Sequence, residues 1–151
     1  MKRIRLGIYC IYENLTFEFI HEDKLCTLIR RGSCPEYLKR LGFQLYTDSV
    51  YTLDLCRSAI KSAYRVSTFC NYKGFKCSMI AIDNHIAYLY PSAEYQTMSG
   101  DHAMHGYDPK LHVLENNIDN IWEERTPLDG FKFDTEPIVY IKKDGVWLVE
   151  E

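Results

Sequence analysis

The stretch GFKCSMIAIDNHIAYLY, residues 74–90, decides the fold that we expect for this chain. Apolar side chains precede and follow Asp83-Asn84, and both of these residues tolerate the positive φ that a two-residue hairpin loop demands. Pro91 closes the second strand because it has no N–H to donate to a sheet. The stretch therefore predicts an antiparallel hairpin.

Two further hairpins are predicted near the two ends of the sequence. Residues 3–12 alternate apolar and polar side chains, and Glu13-Asn14 supplies a turn before a second alternating segment. Towards the other end, apolar pairs flank the turn signal Asp144-Gly145. The predicted antiparallel sheet therefore contains residues 3–12, 76–82, 85–90, 137–142 and 146–149.

Between the hairpins, apolar residues recur at intervals of three and four, which is typical of helices. Short helical segments are predicted at residues 22–32 and 34–41, and each of them ends at a glycine, a residue that commonly terminates helices. Longer helices are predicted at residues 53–65 and 109–125, where the apolar positions form one stripe. We expect these longer helices to pack on the sheet.

Hairpins that are separated by helices, without regular βαβ alternation, favour the α+β class. The predicted architecture is a mainly antiparallel sheet of hairpins with two or three helices packed on one face. The 151 residues contain no repeat and no linker-like segment, so residues 1–151 are predicted to form a single globular domain. A hydrophobic content of 46% is sufficient for a sizeable core.

The sequence also bears on compartment. We find no secretory signal and no apolar run near the roughly 20 residues that a membrane helix requires, so we expect a cytoplasmic protein without membrane contact. The six cysteines include no CxxC pair, and in a reducing compartment they are predicted to be free thiols. Sequence patterns of common nucleophile and phosphate-binding sites, such as GxSxG and GxxxxGK[ST], are absent.

One polar segment offers a candidate metal site. SGDHAMHGYDPKLH, residues 99–112, contains imidazole and carboxylate groups that suit zinc or another divalent ion. Within it, GDHAMHG resembles the Asp-His metal-binding segment of alkaline-phosphatase-like phosphodiesterases, whose further ligands and nucleophile need a much longer α/β domain. We therefore do not transfer that activity, and because the usual ligand spacings are missing, the segment favours a surface loop that runs into a solvated helix face. The candidate ligands are Asp101, His102, His105 and His112.

A second candidate surface is acidic. Residues 66–151 carry 7 basic and 14 acidic side chains, a balance of −7. On the predicted helix 109–125, the carboxylates of Glu115, Asp119 and Glu123 are expected to face outward as one ridge. Such a ridge would favour a basic protein partner, for example a nuclease toxin.

From these observations we expect a small non-enzymatic binding protein that inhibits or neutralises a macromolecular partner, as immunity and anti-defence proteins do. No cofactor is expected, and the partner is predicted to be a protein. The alternative is a small metal-dependent or phosphate-handling hydrolase that uses the segment from Asp101 to His112, with a divalent metal such as zinc. A third hypothesis is a single-stranded nucleic-acid binder, because RVSTFCNYKGFK, residues 65–76, interleaves aromatic and basic side chains.

Overall fold

The computed structural model describes residues 4–99 and 110–149, and these residues form a β-rich protein. The first six strands are β1 (Gly7–Tyr12), β2 (Leu15–Glu22), β3 (Leu25–Arg31), β4 (Gln44–Thr47), β5 (Val50–Cys56) and β6 (Ser62–Tyr72). The others are β7 (Phe75–Asp83), β8 (Ile86–Pro91), β9 (Leu111–Leu114), β10 (Ile121–Pro127), β11 (Ile138–Lys143) and β12 (Val146–Trp147). The helices are α1 (Glu36–Leu41), α2 (Ala93–Ser99) and 3-10 turns at Arg57–Ala59 and Glu115–Asn117.

The chain folds into two compact units. We call residues 7–65 and 126–135 the N-terminal unit, and residues 4–6, 66–125 and 136–149, as far as they are described, the C-terminal unit. Each unit has its own apolar core. In the described part of the chain, no helix is long and apolar enough to cross a membrane.

In the N-terminal unit, antiparallel strands follow the order β1-β2-β3-β5-β4. Alternate side chains of these strands, such as Phe17, Phe19 and Leu28, are buried on one face of the sheet. Leu38 from α1 and Phe43, which follows this helix, complete that core. The opposite face of the sheet carries the more exposed side chains.

In the C-terminal unit, the strand order is β12-β11-β10-β6-β7-β8-β9, with β6 contributing from Val66 onward. The core on one side of this sheet takes Tyr95 from α2 and Ile118 from the segment between β9 and β10. Its strand members include Cys70, Cys77, Met79, Leu89, Leu111, Val113, Ile121 and Ile141. Residues between these positions point to the other face, because successive side chains of a strand alternate.

The predicted α+β class is wrong, because the structure is mainly antiparallel sheet and the two α-helices among the described residues are short. The predicted helix at 53–65 is instead the end of β5, a 3-10 turn and the start of β6. Leu53 and Leu55 alternate with the exposed Asp54, and β5 pairs along its full length with β3. This pairing requires an extended backbone, and it overrides the three-and-four spacing of apolar residues.

The predicted helix at 109–125 is also wrong over the described residues 110–125. Leu111 and Val113 alternate inward on β9, whereas Leu114, which a helix would have buried, is 55% exposed. Ile118 is buried, but it lies in the segment between two strands. Strand β9 pairs with β8, and β10 pairs with β11 and β6, so pairing with distant strands decided the structure of this region.

Of the two short helices that were predicted, one is wrong and one is confirmed. Residues 22–32 were predicted as a helix, which is wrong, since Leu25–Arg31 is strand β3. The helix predicted at 34–41 is confirmed as α1, and Gly42 ends it with φ of 113° in the left-handed region.

The hairpins around residues 13–14, 83–85 and 144–145 are confirmed. In the central hairpin, the positive φ angles fall at Asn84 and His85 rather than at Asp83-Asn84. That loop is therefore shifted by one residue from the predicted position.

Candidate binding surface

Most of the predicted metal-binding segment cannot be placed. Asp101, His102 and His105 lie outside the described residues. His112 is exposed on β9, and its ring packs edge-on against Tyr88 with 4.7 Å between the ring centroids. Among residues 4–99 and 110–149, no three His, Cys, Asp or Glu side chains form a group that could hold a metal ion. The hydrolase hypothesis stays a prediction, which metal analysis of the purified protein would test.

The three predicted partner-binding carboxylates do not form one ridge, since the helix that would align them is absent. Glu115 lies in a 3-10 turn, where its Oε1 is 3.2 Å from Nδ1 of His85. Asp119 is exposed in the connection to β10. Glu123 is buried on β10. Their role in binding a basic protein stays a prediction, and of the three only Asp119 is classed as exposed.

Glu123 is the centre of a buried ion cluster in the C-terminal unit. Arg5 donates two hydrogen bonds of 2.8 Å to its two carboxylate oxygens, and Arg125 donates further bonds of 2.9 and 3.1 Å. Burial by itself would raise the pKa of the Glu123 carboxyl, but the hydrogen bonds and charges of the two arginines lower it below its usual value. The carboxylate therefore stays ionised and joins residues that are 118 positions apart.

The feature that sequence reasoning missed is a row of aromatic rings on the face of the C-terminal sheet opposite its core. Tyr140, Trp122 and Phe69 lie on the neighbouring strands β11, β10 and β6. Ring centroids are 5.9 Å apart between Tyr140 and Trp122, and 6.5 Å apart between Trp122 and Phe69. Each ring directly adjoins a core residue along its strand, and alternation therefore turns it to the other face. We call these three residues the aromatic row.

The line of the aromatic row continues across the next two strands. Phe69 is the cross-strand partner of Ser78, and Ser78 is the partner of Tyr90. Ser78 has a small side chain, so a shallow gap separates the ring of Phe69 from that of Tyr90. Five neighbouring strands thus carry four aromatic side chains at one level of the sheet.

Charged groups surround the aromatic row. The ammonium of Lys76 lies 4.2 Å from the ring centroid of Phe69, and that of Lys143 lies 5.0 Å from the ring centroid of Tyr140. Glu124 holds Lys76 at 2.7 Å and accepts a 2.9 Å hydrogen bond from Nε1 of Trp122. Burial raises the pKa of Glu124, but the bonds from Lys76 and Trp122 outweigh this effect and lower it.

The exposure of the rings shows what the aromatic row can do. Trp122 is 8% exposed and forms a floor, whereas Tyr140 at 39% is open to a partner. Ile138, beside Tyr140 on β11, is also exposed. These side chains offer apolar and stacking contacts, so this surface is suited to binding.

The N-terminal unit has a separate open groove of about 510 Å³. Thr27 donates a 2.6 Å hydrogen bond to Asp54 within it, and Arg31 at its border is held by Glu18. Thr27, Asp54 and Arg31 are thus already engaged with partners within the protein. The groove is lined by Ile20, Thr27, Ile29, Arg31, Tyr46, Thr47, Val50, Thr52 and Asp54.

The fold and this surface together define a β-rich protein with an open aromatic sheet face. The chain belongs to the family described as uncharacterised conserved protein UCP033725, whose family model matches residues 4–128. The matched range includes Phe69 and Trp122, while Tyr140 lies beyond it. Comparisons with curated proteins and with solved structures found no match.

Part of the aromatic row was visible in the sequence. The segment 65–76 contains Phe69 and Lys76, and its mixture of aromatic and basic residues is the signal that a search for binding surfaces could use. Trp122 was assigned to a helix and Tyr140 to a remote hairpin, so nothing local linked them to Phe69. Their proximity depends on strand pairings that only the folded chain shows.

Proposed function

We propose that the protein is a non-enzymatic binding protein that neutralises a macromolecular partner by engaging it with the aromatic row. The observation that carries this proposal is the alignment of Tyr140, Trp122 and Phe69 on an open sheet face. Tyrosine and tryptophan are enriched in the central contacts of interfaces, where a few anchors supply most of the binding energy. Immunity and anti-defence proteins act in this way, by occupying a surface rather than by catalysis.

The rings are held in place before any partner arrives, which supports a binding role. Trp122 is fixed by its hydrogen bond to Glu124 and by a neighbouring ring on each side. A preorganised anchor loses little conformational entropy on binding, so more of its contact energy appears as affinity.

We place the protein in the cytoplasm as part of this proposal. Its six cysteines are free thiols in the structure, and four of them, Cys10, Cys26, Cys70 and Cys77, are buried. Buried unpaired thiols of this kind are compatible with a reducing compartment. Fractionation of the native cells, followed by detection of the protein, would test the location directly.

Site-specific photo-crosslinking in the native cells would test the function. A benzophenone amino acid replaces Tyr140, and a matched control protein carries it in place of Tyr46, which is 75% exposed in the N-terminal unit. We expect one macromolecular adduct from position 140 that position 46 does not give. The adduct should also weaken when Phe69→Ala is added, because the partner loses a neighbouring contact. Absence of an adduct at 140, or the same adducts at both positions, would overturn the proposal.

A further inference from the structure

We infer that the aromatic row binds single-stranded nucleic acid, an inference that rests on the proposed function and names its partner class. Proteins that bind single strands combine aromatic side chains, on which bases stack, with cations that track the phosphates. The C-terminal sheet face has both components. Its rings are Tyr140, Trp122 and Phe69, and its nearby cations are Lys76 and Lys143.

The rings are arranged for stacking. Tyr140 and Phe69 flank the nearly covered ring of Trp122, so a base can lie against either outer ring while Trp122 supports both. The shallow position of Ser78 between Phe69 and Tyr90 leaves room for a further base along the same line. Every base has a π-face, so such a surface would bind with little sequence preference.

The lysines supply charge complementarity to a phosphate backbone. In the absence of a partner, each ammonium lies over the face of an outer ring. A lysine side chain is flexible, so the ammonium can move away from the ring, and a base can then stack there. The ammonium can contact the phosphate next to that base. The same two residues then hold the backbone on either side of the stacked bases.

The shape of the surface favours a single strand over a duplex. In a duplex, each base is covered by its neighbours and reaches a protein mainly through its edge, which a helix or ribbon reads from a groove. The aromatic row lies in the plane of a sheet, and Trp122 at its centre is only 8% exposed. The aromatic row therefore has no projecting helix or ribbon that could enter the groove of a duplex, but it can stack against the unpaired bases of a single strand.

Glu124 makes the inference sharply testable. Its carboxylate places a negative charge beside the row, and it holds Lys76 at 2.7 Å. Glu124→Gln keeps a hydrogen-bond acceptor for Nε1 of Trp122 while releasing Lys76 from its ion pair. This variant should bind a polyanion more tightly, whereas a basic protein partner would bind it more weakly.

The first measurement is fluorescence anisotropy with labelled oligo-dT and oligo-U of about 12 nucleotides, a length within the usual site sizes. We expect Tyr140→Ala and Phe69→Ala each to weaken binding by roughly 5- to 150-fold, the loss of one stacked base. The matched control Tyr46→Ala should bind like the native protein. Circular dichroism verifies that each variant is folded. If the Phe69 variant does not fold, Lys143→Gln, a substitution at an exposed residue, replaces it in the binding comparison.

Salt dependence gives a second, independent readout. Two phosphate contacts on a single strand predict a slope of about −1.4 when log K is plotted against log of salt concentration. Lys76→Gln and Lys143→Gln should each reduce the magnitude of this slope by about 0.7. Tyr46→Ala should leave it unchanged.

Several results would overturn the inference. They are absence of saturable oligonucleotide binding, affinity that the row variants do not change, tighter binding of a duplex of equal length, or weaker binding by Glu124→Gln. A protein adduct at position 140 without oligonucleotide binding would overturn this inference and leave the proposed function standing. Absence of any adduct at 140 would overturn the proposed function itself.

Discussion

At the residue scale, the environment of a side chain decided its role more than its chemical type did. Glu123 and Asp119 are both carboxylates that sequence analysis placed on one exposed ridge. In the structure, Asp119 is exposed, whereas Glu123 is buried between Arg5 and Arg125. A buried ion pair is weak evidence of net stability, but removing one partner leaves uncompensated charge and is costly.

Glu123→Gln should therefore lower the free energy of unfolding at pH 7 by about 3–5 kcal/mol, because the partly buried guanidinium groups of Arg5 and Arg125 lose the buried carboxylate between them. Chemical denaturation of the native and variant proteins measures the difference. The matched control is Glu136→Gln, an exposed residue of the same unit, which should change stability by no more than about 0.5 kcal/mol. Equal stability of the native and Glu123→Gln proteins would show that the cluster contributes nothing.

The same carboxylate predicts a pH dependence. The pKa of Glu123 is lower in the folded protein than in the unfolded chain, so the unfolded chain takes up this proton first as the pH falls. The ionised Glu123 carboxylate contributes its full stabilisation when the pH is above the ordinary carboxyl pKa of about 4.3. This stabilisation is lost as the pH falls through the lowered pKa that Glu123 has in the folded protein. The stability gap between the native protein and Glu123→Gln should narrow over that range, and a constant gap would contradict the assignment.

At the element scale, hydrogen-bonding partners decided between helix and strand. Residues 110–125 have an apolar spacing that suits a helix, yet Leu111 and Val113 are buried in β9 and Leu114 is exposed. The α1 helix, by contrast, is bounded by local signals, with Pro35 before its first turn and Gly42 after its last. Elements that are specified locally were predictable, and those that depend on a distant strand were not.

The strand assignment for residues 110–125 predicts that alanine substitutions at Ile118 and Leu114 have very different effects on stability. Ile118→Ala should reduce the free energy of unfolding by about 2–5 kcal/mol, because this side chain is fully buried. Leu114→Ala should change it by no more than about 0.5 kcal/mol, since that side chain is mostly exposed. Urea denaturation compares them, and a large loss at Leu114 would favour the helix instead.

The end of α1 gives a second test at this scale. Gly42 has a φ of 113°, and a Cβ there would lie 3.0 Å from Cδ1 of Leu53. Gly42→Ala should cost about 1–3 kcal/mol of unfolding free energy, from backbone strain and the tight contact. Gly32→Ala is the matched control, because Gly32 also has a positive φ but nothing within 4 Å. If Gly32→Ala costs as much as Gly42→Ala in the same denaturation assay, the contact with Leu53 has no effect.

At the scale of the whole molecule, the two cores bury four of the six thiols, and the remaining two thiols are more accessible to solvent. Burial, together with a nearby thiol, raises the pKa of Cys10 to about 12 and that of Cys70 to about 12. Cys56, at the end of β5, is exposed. Since the thiolate is the reactive form, the fold itself should set the order in which these cysteines react.

We therefore expect alkylation of the native protein at pH 8 to modify Cys56 first, while Cys10 and Cys70 react only as the units open. Their thiolate fraction at that pH is negligible, and burial blocks the reagent as well. Mass spectrometry of peptides over a time course measures the order, with urea-unfolded protein as the control in which all six should react together. Early modification of Cys70 in native protein would contradict the described core.

Sequence alone located three of the hairpins, one of them with its loop shifted by one residue, and α1, because their signals lie within a few adjacent residues. Glu13-Asn14, Asp144-Gly145 and Gly42 all adopt positive φ, as short-range backbone chemistry requires. Only the tertiary structure decided that residues 53–65 and 110–125 are mainly strands and turns, and that Arg5 reaches Glu123. The aromatic row belongs to the same group, since Phe69, Trp122 and Tyr140 meet through pairings between strands that are distant in sequence. A strand takes its ladder hydrogen bonds and its cross-strand neighbours from other segments, and no local pattern of apolar residues contains that information.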